Sequence, residues 1–179
     1  MTASFRQLLK DLKTAGELVE IEKPVDIRYI AALVDQSETA LLFKNIDGYD
    51  IPVVSGLTNS RDRLAIALGC DFDVVESKVR AGLDTPIEPN SVKNGPVRDV
   101  VMEGDEVDLF KLPVPLFSVL DGGPMITAGI TLSRDPDGEH ENINAEAAST
   151  SSKELPSTAA SVSLVLDTFS VRCQQRTMA

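Results

Sequence analysis

His140 stands between Glu139 and Glu141, three residues of metal-ligating type in succession. A metal needs ligands that converge on one point, whereas consecutive side chains on a strand or turn diverge, so the trio would need further ligands from distant segments. An exposed structural histidine is the plainer reading. The chain has this one histidine, so a Ser-His-Asp or Cys-His relay would have to use it, and no GxSxG elbow accompanies it. Asp121-Gly122-Gly123-Pro124 could aim backbone N–H groups at a phosphate but lacks the spacing of a P-loop or dinucleotide fingerprint. The same four residues also make a tight turn. Cys70 follows Gly69 and adjoins Asp71 and Asp73, acidic surroundings unsuited to a reactive thiolate. Glu103, Asp105, Glu106 and Asp108 offer hard oxygens to a calcium ion without EF-hand spacing and read as a solvated turn. No complete active site follows from these residue types.

The elements that would position them are legible in outline. Ser4 and Gln7 form a capping-box start; Phe5, Leu8, Leu9 and Leu12 then share a helical face, and Gly16 closes the helix. Leu18 to Glu22 alternates as a half-exposed strand that Pro24 ends. A second helix from Asp26 would bury Ile30, Leu33 and Val34. Ala40–Phe43 and Ile51–Val54 flank Asp47-Gly48 as a hairpin. Ser60 caps a third helix through Leu64 and Leu68 that Gly69 closes, and Asp71 or Asp73 caps a fourth carrying Val74, Val75 and Val79. After a proline-rich loop, Val97 to Met102 reads as a strand. Pro113 and Pro115 force an extended connector, because each ring blocks helical geometry at itself and at the preceding residue. A domain boundary is expected there. Met125 to Ser133 is a β run, Asp135-Pro136-Asp137-Gly138 a type I turn, and a partner strand should begin near Glu141.

At 179 residues the chain can hold one core, or one domain and part of another. A net charge of -11 argues against nucleic acid and anionic membranes, which call for a basic footprint. Two distant cysteines, Cys70 and Cys173, suggest a reducing compartment. With neither a leader-like N-terminus nor a run of ~18 apolar residues, the expectation is a cytoplasmic protein without a membrane span.

From Leu112 to Gly138, LP-x-PL, DGGP, ITAG and a strand ending in RDPDG follow one another. This order resembles the UbiD family of reversible decarboxylases. Ser4-Phe5-Arg6, Gly16-Glu17-Leu18-Val19, Ala40 to Asn45 before Gly48-Tyr49, and Ile51 to Val54 resemble the same family's N-terminal region, so the likeness covers roughly the first 140 residues. The resemblance implies an α/β (α+β) chain: an N-terminal domain with a mixed sheet and flanking helices at 1–111, a connector and the first hairpin strand of an incomplete split β-barrel flavin domain at 112–141, and a non-family, poorly ordered tail at 142–179.

It also implies a carboxy-lyase that decarboxylates a small aromatic or α,β-unsaturated carboxylic acid with prenylated FMN, a divalent metal (Mn or Mg) and K. In that chemistry the flavin supplies the electron sink, while an Arg and two Glu handle the carboxylate and proton, and Asn, His and Glu hold the metal. Carried over residue by residue, Thr127 is a cofactor-binding position and Asn144, with Asn142 as the alternative match, a cofactor- and metal-binding one. No catalytic residue can be assigned. The family's Arg should follow the Asn closely, and there the chain has Ala147 or Ser149; Arg172 and Arg176 sit in no comparable motif. The residues after Asn142 are rich in Ala, Ser and Thr and carry no period, so the switch reads as a reading-frame change, an altered splice or a truncated copy. A chain inactive by itself is expected, with a non-catalytic binding or assembly module as the alternative. Its partners would then be further copies of itself or a full-length family member.

Overall fold

The computed structural model describes residues 4–85, 87, 90, 99–102, 106–118, 120–134, 141–149, 161–166 and 169–174, with side chains as far as Ile126 and backbone alone after it. Two compact units divide at Val92/Lys93: Met1–Val92 and Lys93–Ala179.

In the first unit, α1 runs over Phe5–Thr14, and its Ser4 cap accepts from the Gln7 N–H at 3.2 Å. Gly16 leaves the helix at φ 78, a left-handed conformation that a side chain would disfavour. Strand β1 (Leu18–Ile21) is followed by a 3₁₀ turn, Ile27–Tyr29, that runs into α2 (Ile30–Asp35). The path returns as β2 (Ala40–Phe43), parallel to β1 with Leu18 opposite Ala40 and Ile21 opposite Phe43. A loop containing Gly48 at φ 83 then leads to β3 (Val53–Ser55), antiparallel to β2 with Phe43 opposite Val53. The mixed sheet has the order β1-β2-β3. Helix α3 (Arg61–Leu68) follows, capped by Ser60 and ended by Gly69 at φ 59; a 3₁₀ turn, Phe72–Val74, leads into α4 (Val75–Asp84).

Apolar burial explains why β2 is the central strand. Ile30, Leu41, Phe43 and Ile46 form one buried cluster, and Leu12, Leu18 and Ala40 form another under α1. Both clusters draw on β2, whose residues point alternately to its two sides. Some helix faces differ from the sequence reading. Leu33 is exposed, because α2 is short and turns only Ile30 fully inward. In α3 the buried residues are Arg63 and Ala65, with Leu64 and Leu68 only partly covered. In α4 Val75 is buried while Val74 and Val79 are exposed, and Asp71 makes no side-chain cap.

Charged groups tie the sheet's outer edge. Lys44 contacts Glu20 at 3.0 Å and Glu22 at 3.1 Å, and Lys13 contacts Glu20 at 2.9 Å. Hydrogen bonds from Lys13 and then Lys44 hold the Glu20 carboxyl below its usual range. Asp26 caps the first 3₁₀ turn through the Arg28 N–H at 2.9 Å and pairs with the Arg28 guanidinium. These bonds lower the Asp26 carboxyl to about 2. A depressed carboxylate stabilises the fold above its unfolded value of about 3.9 and loses that contribution as pH falls through the folded value. NMR titration should therefore find Asp26 still ionised near pH 3, and Arg28→Ala should return its midpoint to the ordinary carboxylate range. An unchanged midpoint in that variant would mean the pair has no role.

In the second unit a 3₁₀ turn, Leu109–Lys111, is capped by Asp108, which accepts from the Phe110 N–H at 3.0 Å. Leu109, Leu112, Val114 and Ile126 are buried. Within the Pro113–Pro115 segment Val114 is buried and the two prolines are half-buried, and the division between units falls ahead of it. Asp99–Met102 carries no strand, and 97–98 lie outside the described residues. Strand β4 (Met125–Arg134) pairs antiparallel with β5 (Glu141–Ser149), which begins at the residue where a partner strand is expected. β6 (Ser161–Leu166) and β7 (Phe169–Gln174) form a second antiparallel pair. The run Val162 to Val171, which has no obvious partner in the sequence, thus splits into two strands that partner each other. Ala-, Ser- and Thr-rich composition suggested poor order over 142–179, yet β5, β6 and β7 are extended there. Strand pairing uses backbone groups that every non-proline residue supplies, and strand preference depends on context more than on composition. Among the described residues the sheets are β4-β5 and β6-β7, with no closed barrel.

Candidate functional site

The β4–β5 hairpin carries both candidate ligand positions, and the segment before it fixes where β4 starts. The Met125 N–H donates to the Pro115 carbonyl at 3.2 Å, closing the connector onto the strand. Between them, Asp121 accepts from the Ser118 N–H at 2.9 Å while its own N–H donates to the Ser118 carbonyl at 3.1 Å, and Ser118 Oγ accepts from the Leu120 N–H at 3.2 Å. Ser118 to Asp121 is thus a tight turn whose carboxylate is engaged within it. An aspartate there would repel a phosphate presented to the following glycines.

Register places the ligand positions. Ile126 pairs with Ala148 and Gly129 with Glu146, so Thr127 and Ala128 together oppose Ala147. This is a β-bulge, a feature that bends a strand and often adjoins a functional site. Asn144 pairs with Thr131 and Asn142 with Ser133. Thr127 and Asn144 are therefore on one hairpin, about 10 Å apart along it at the usual rise per residue. Glu139 and His140 lie outside the described residues.

Charge limits what the hairpin can hold. β4 has one charged residue, Arg134, at its end and in register with Glu141; β5 has Glu141 and Glu146 and no cation. Flavin phosphate and a carboxylic acid substrate are both anions and require cationic or N–H partners. A single neutral amide such as Asn144 cannot hold a divalent cation, which takes six or more oxygens. Among the described residues no group of three metal-ligating side chains exists. The described residues of the hairpin do not make a complete prenylated-FMN site.

The first unit contains an open cleft of about 450 Å³ lined by Ala15, Glu17, Asp62, Ile66, Cys70 and Phe72 among others. Its carboxylates suit no anionic acid. Beside it lies a residue that the sequence reading passes over. Arg63 is 3% exposed and donates to Glu17 Oε2 at 2.9 Å and the Glu38 carbonyl at 2.8 Å, while its Nε has no partner. It joins α3 to the segments leading into β1 and β2. No local pattern marks it, because its partners are 46 and 25 residues away.

With this geometry in hand, comparison with known proteins gives a consistent result. The family model for the 3-octaprenyl-4-hydroxybenzoate carboxy-lyase N-terminal domain matches residues 9–78, and that for the same enzyme's Rift-related domain matches residues 90–152. The second match runs past Asn142 and through β5. The chain is 32% identical to an uncharacterized protein in the cooM 5' region of Rhodospirillum rubrum, over 75% of this chain and 30% of that protein. It is also 32% identical to anhydromevalonate phosphate decarboxylase of Methanothermobacter thermautotrophicus, over 74% of this chain and 30% of that protein. Among solved structures, an evolved dimeric form of the UbiD-class enzyme HmfF from Pelotomaculum thermopropionicum, in complex with prFMN, superposes with a TM-score of 0.78 at 30% identity. That match covers 91% of this chain and 38% of the other. The 3,4-dihydroxybenzoic acid decarboxylase of Enterobacter cloacae shares the fold, with a TM-score of 0.77 at 23% identity over 91% of this chain and 36% of that one. The chain thus spans about a third of the length of the proteins it matches.

Proposed function

The chain belongs to the 3-octaprenyl-4-hydroxybenzoate carboxy-lyase (UbiD) family, and from that membership we propose that it supplies the N-terminal domain and first flavin-domain strands of a non-oxidative decarboxylase. The substrate class is a small aromatic or α,β-unsaturated carboxylic acid, and the cofactor is prenylated FMN with Mn or Mg and K. Bound, that flavin supplies the electron sink for loss of CO₂. Thr127 and Asn144 are the positions of this chain that would approach the flavin, and Asn144 would be one ligand of the metal. A cytoplasmic setting belongs to the same reading, supported by the free thiol of Cys70. Among the described residues no helix is long and apolar enough to cross a membrane.

Taken by itself, this polypeptide does not turn substrate over. The observation that carries this is the composition of β5: the strand that should bring a guanidinium to the substrate carboxylate presents Ala145, Ala147, Ala148 and Ser149. Without a cation there, neither the carboxylate nor the developing charge is held. Protein produced together with a prenylated-FMN supply is expected to purify colourless and to release no CO₂ from benzoic or cinnamic acids. Stoichiometric flavin with turnover would overturn the inactive reading. A second reading, a non-catalytic assembly module, is favoured by the two buried clusters of the first unit, which give it a core independent of any flavin domain. Co-purification with a full-length family member, without flavin, would support it.

A further inference from the structure

The open cleft of the first unit joins apolar surface to unpaired acid. Ala15, Ala65, Ile66 and Phe72 line it, and so do the carboxylates of Glu17, Asp62 and Asp71, without any cationic side chain. The acids come from three places: the segment between α1 and β1, the first turn of α3, and the turn after α3. Glu17 is engaged by Arg63 at 2.9 Å. Asp62 and Asp71 are exposed and have no salt bridge among the described residues. No three metal-ligating side chains converge among the described residues, so the cleft does not suit a metal ion. At its margin the Arg61 guanidinium lies over the Phe72 ring, 4.9 Å from the centroid, and Arg61 Nε donates to the Phe72 carbonyl at 3.2 Å.

We propose that this cleft docks an arginine side chain of a basic partner peptide, its methylene stem on Ala65 and Ile66 and its guanidinium held by Asp62 and Asp71. Charge complementarity selects that occupant. An anionic segment would be repelled by all three carboxylates, and a purely apolar one would strip water from Asp62 and Asp71 without replacing it. A basic side chain with a long stem satisfies both halves of the lining, because its carbons cover apolar surface while its head stays with the acids. Arginine fits better than lysine. Its five N–H donors lie in one plane and can serve carboxylates that do not meet at a point, whereas an ammonium is a compact charge. The chain's own Arg61 shows that a guanidinium packs at this edge of the cleft. A volume of about 450 Å³ lies within the range of ligand pockets and accommodates one such side chain with its flanking residues. The net charge of -11 draws basic chains toward the surface, and the cleft fixes where one arginine seats. Binding is weak, because the two free carboxylates are exposed and screened by salt. The proposal is independent of the decarboxylase reading, since it uses only the first unit.

A capped pentapeptide with a central arginine between leucines is the probe, titrated into the full chain and followed by amide NMR shifts. Binding should saturate with a Kd of about 0.1 to 1 mM, and the shifts should centre on Ala15, Ile66, Cys70 and Phe72. Asp62→Asn and Asp71→Asn should each weaken binding about threefold, and the pair about tenfold. Glu76→Gln, which removes an exposed carboxylate outside the cleft, should leave the Kd unchanged. Circular dichroism should match the parent in every variant, because the altered residues are exposed. The citrulline peptide, of the same shape without the charge, should bind at least about tenfold more weakly. Absence of a saturable shift by about 5 mM peptide overturns the proposal. So does equal affinity for the citrulline peptide, or an equal loss from Glu76→Gln and Asp71→Asn, the mark of non-specific attraction to an acidic surface.

Discussion

Replacing Phe43 with alanine should lower the unfolding free energy of the first unit by about 3–5 kcal/mol, the range for deleting a buried aromatic ring from a close-packed core. Phe43 is 0% exposed and sits in the cluster with Ile30, Leu41 and Ile46. It also ends the strand that both neighbours pair with, opposite Ile21 of β1 and Val53 of β3. The rest of the site cannot collapse into the vacancy without disturbing those ladders, so the cost should fall at the upper end. A domain of this size has little more stability than that to lose. Urea unfolding followed by circular dichroism should show either a midpoint shifted far down or no folded baseline. A loss below about 1 kcal/mol would mean that the cluster does not hold the sheet together.

The second large effect concerns Arg63 and Glu17. Removing one partner of a buried pair costs about 3–5 kcal/mol when the other is left desolvated and uncompensated. The two sides are unequal here: the Arg63 side chain is 3% exposed and that of Glu17 30%. Glu17→Ala strands a guanidinium with only the Glu38 carbonyl at 2.8 Å, and should cost about 3 kcal/mol. Arg63→Met leaves a carboxylate that water can reach and keeps an apolar stem in the core. It also removes the unpartnered Nε, so its cost should be about 1 kcal/mol. The order Glu17→Ala worse than Arg63→Met, with a double variant no worse than Glu17→Ala alone, is the signature of a buried charge kept by its partner. The reverse order in urea titrations would assign Arg63 a packing role only.

Particular elements show how far local rules reach. α1, the Ser60 cap and the positive-φ glycines at 16, 48 and 69 form as their sequences suggest, and β2 and β3 pair as a hairpin whose second strand is Val53–Ser55 rather than Ile51–Val54. In each, the deciding interaction lies within a few residues: a side chain capping its own helix, or a glycine freed from Cβ constraints. Gly56 also adopts φ 83; a Cβ there would meet Ala40 and Val34 at 3.4 Å, an ordinary contact, so the backbone conformation and not the space calls for glycine. The exposure of Leu33 and Val79 and the burial of Arg63 escaped the helical periodicity. Periodicity says which residues share a face, not whether another element covers it.

The candidate site divides in the same way. DGGP, ITAG and the RDPDG turn pointed to the family, and the expected start of a partner strand at Glu141 coincides with β5. Composition could not show that Ala- and Ser-rich residues would pair along β4, because their ladder bonds are made by the backbone. Nor could it show the bulge that sets Thr127 and Ala128 against Ala147, which exists only in the register of two strands. The sequence by itself determined the family, the capped helices, the acidic charge and the absence of an arginine from β5, all properties of residue identity or of short-range spacing. Tertiary structure alone decided that β2 is central, that Arg63 is buried against Glu17, and that Val114 is buried between two half-exposed prolines. Each of those depends on partners far away in the chain, and no local pattern encodes a distance that folding has yet to close.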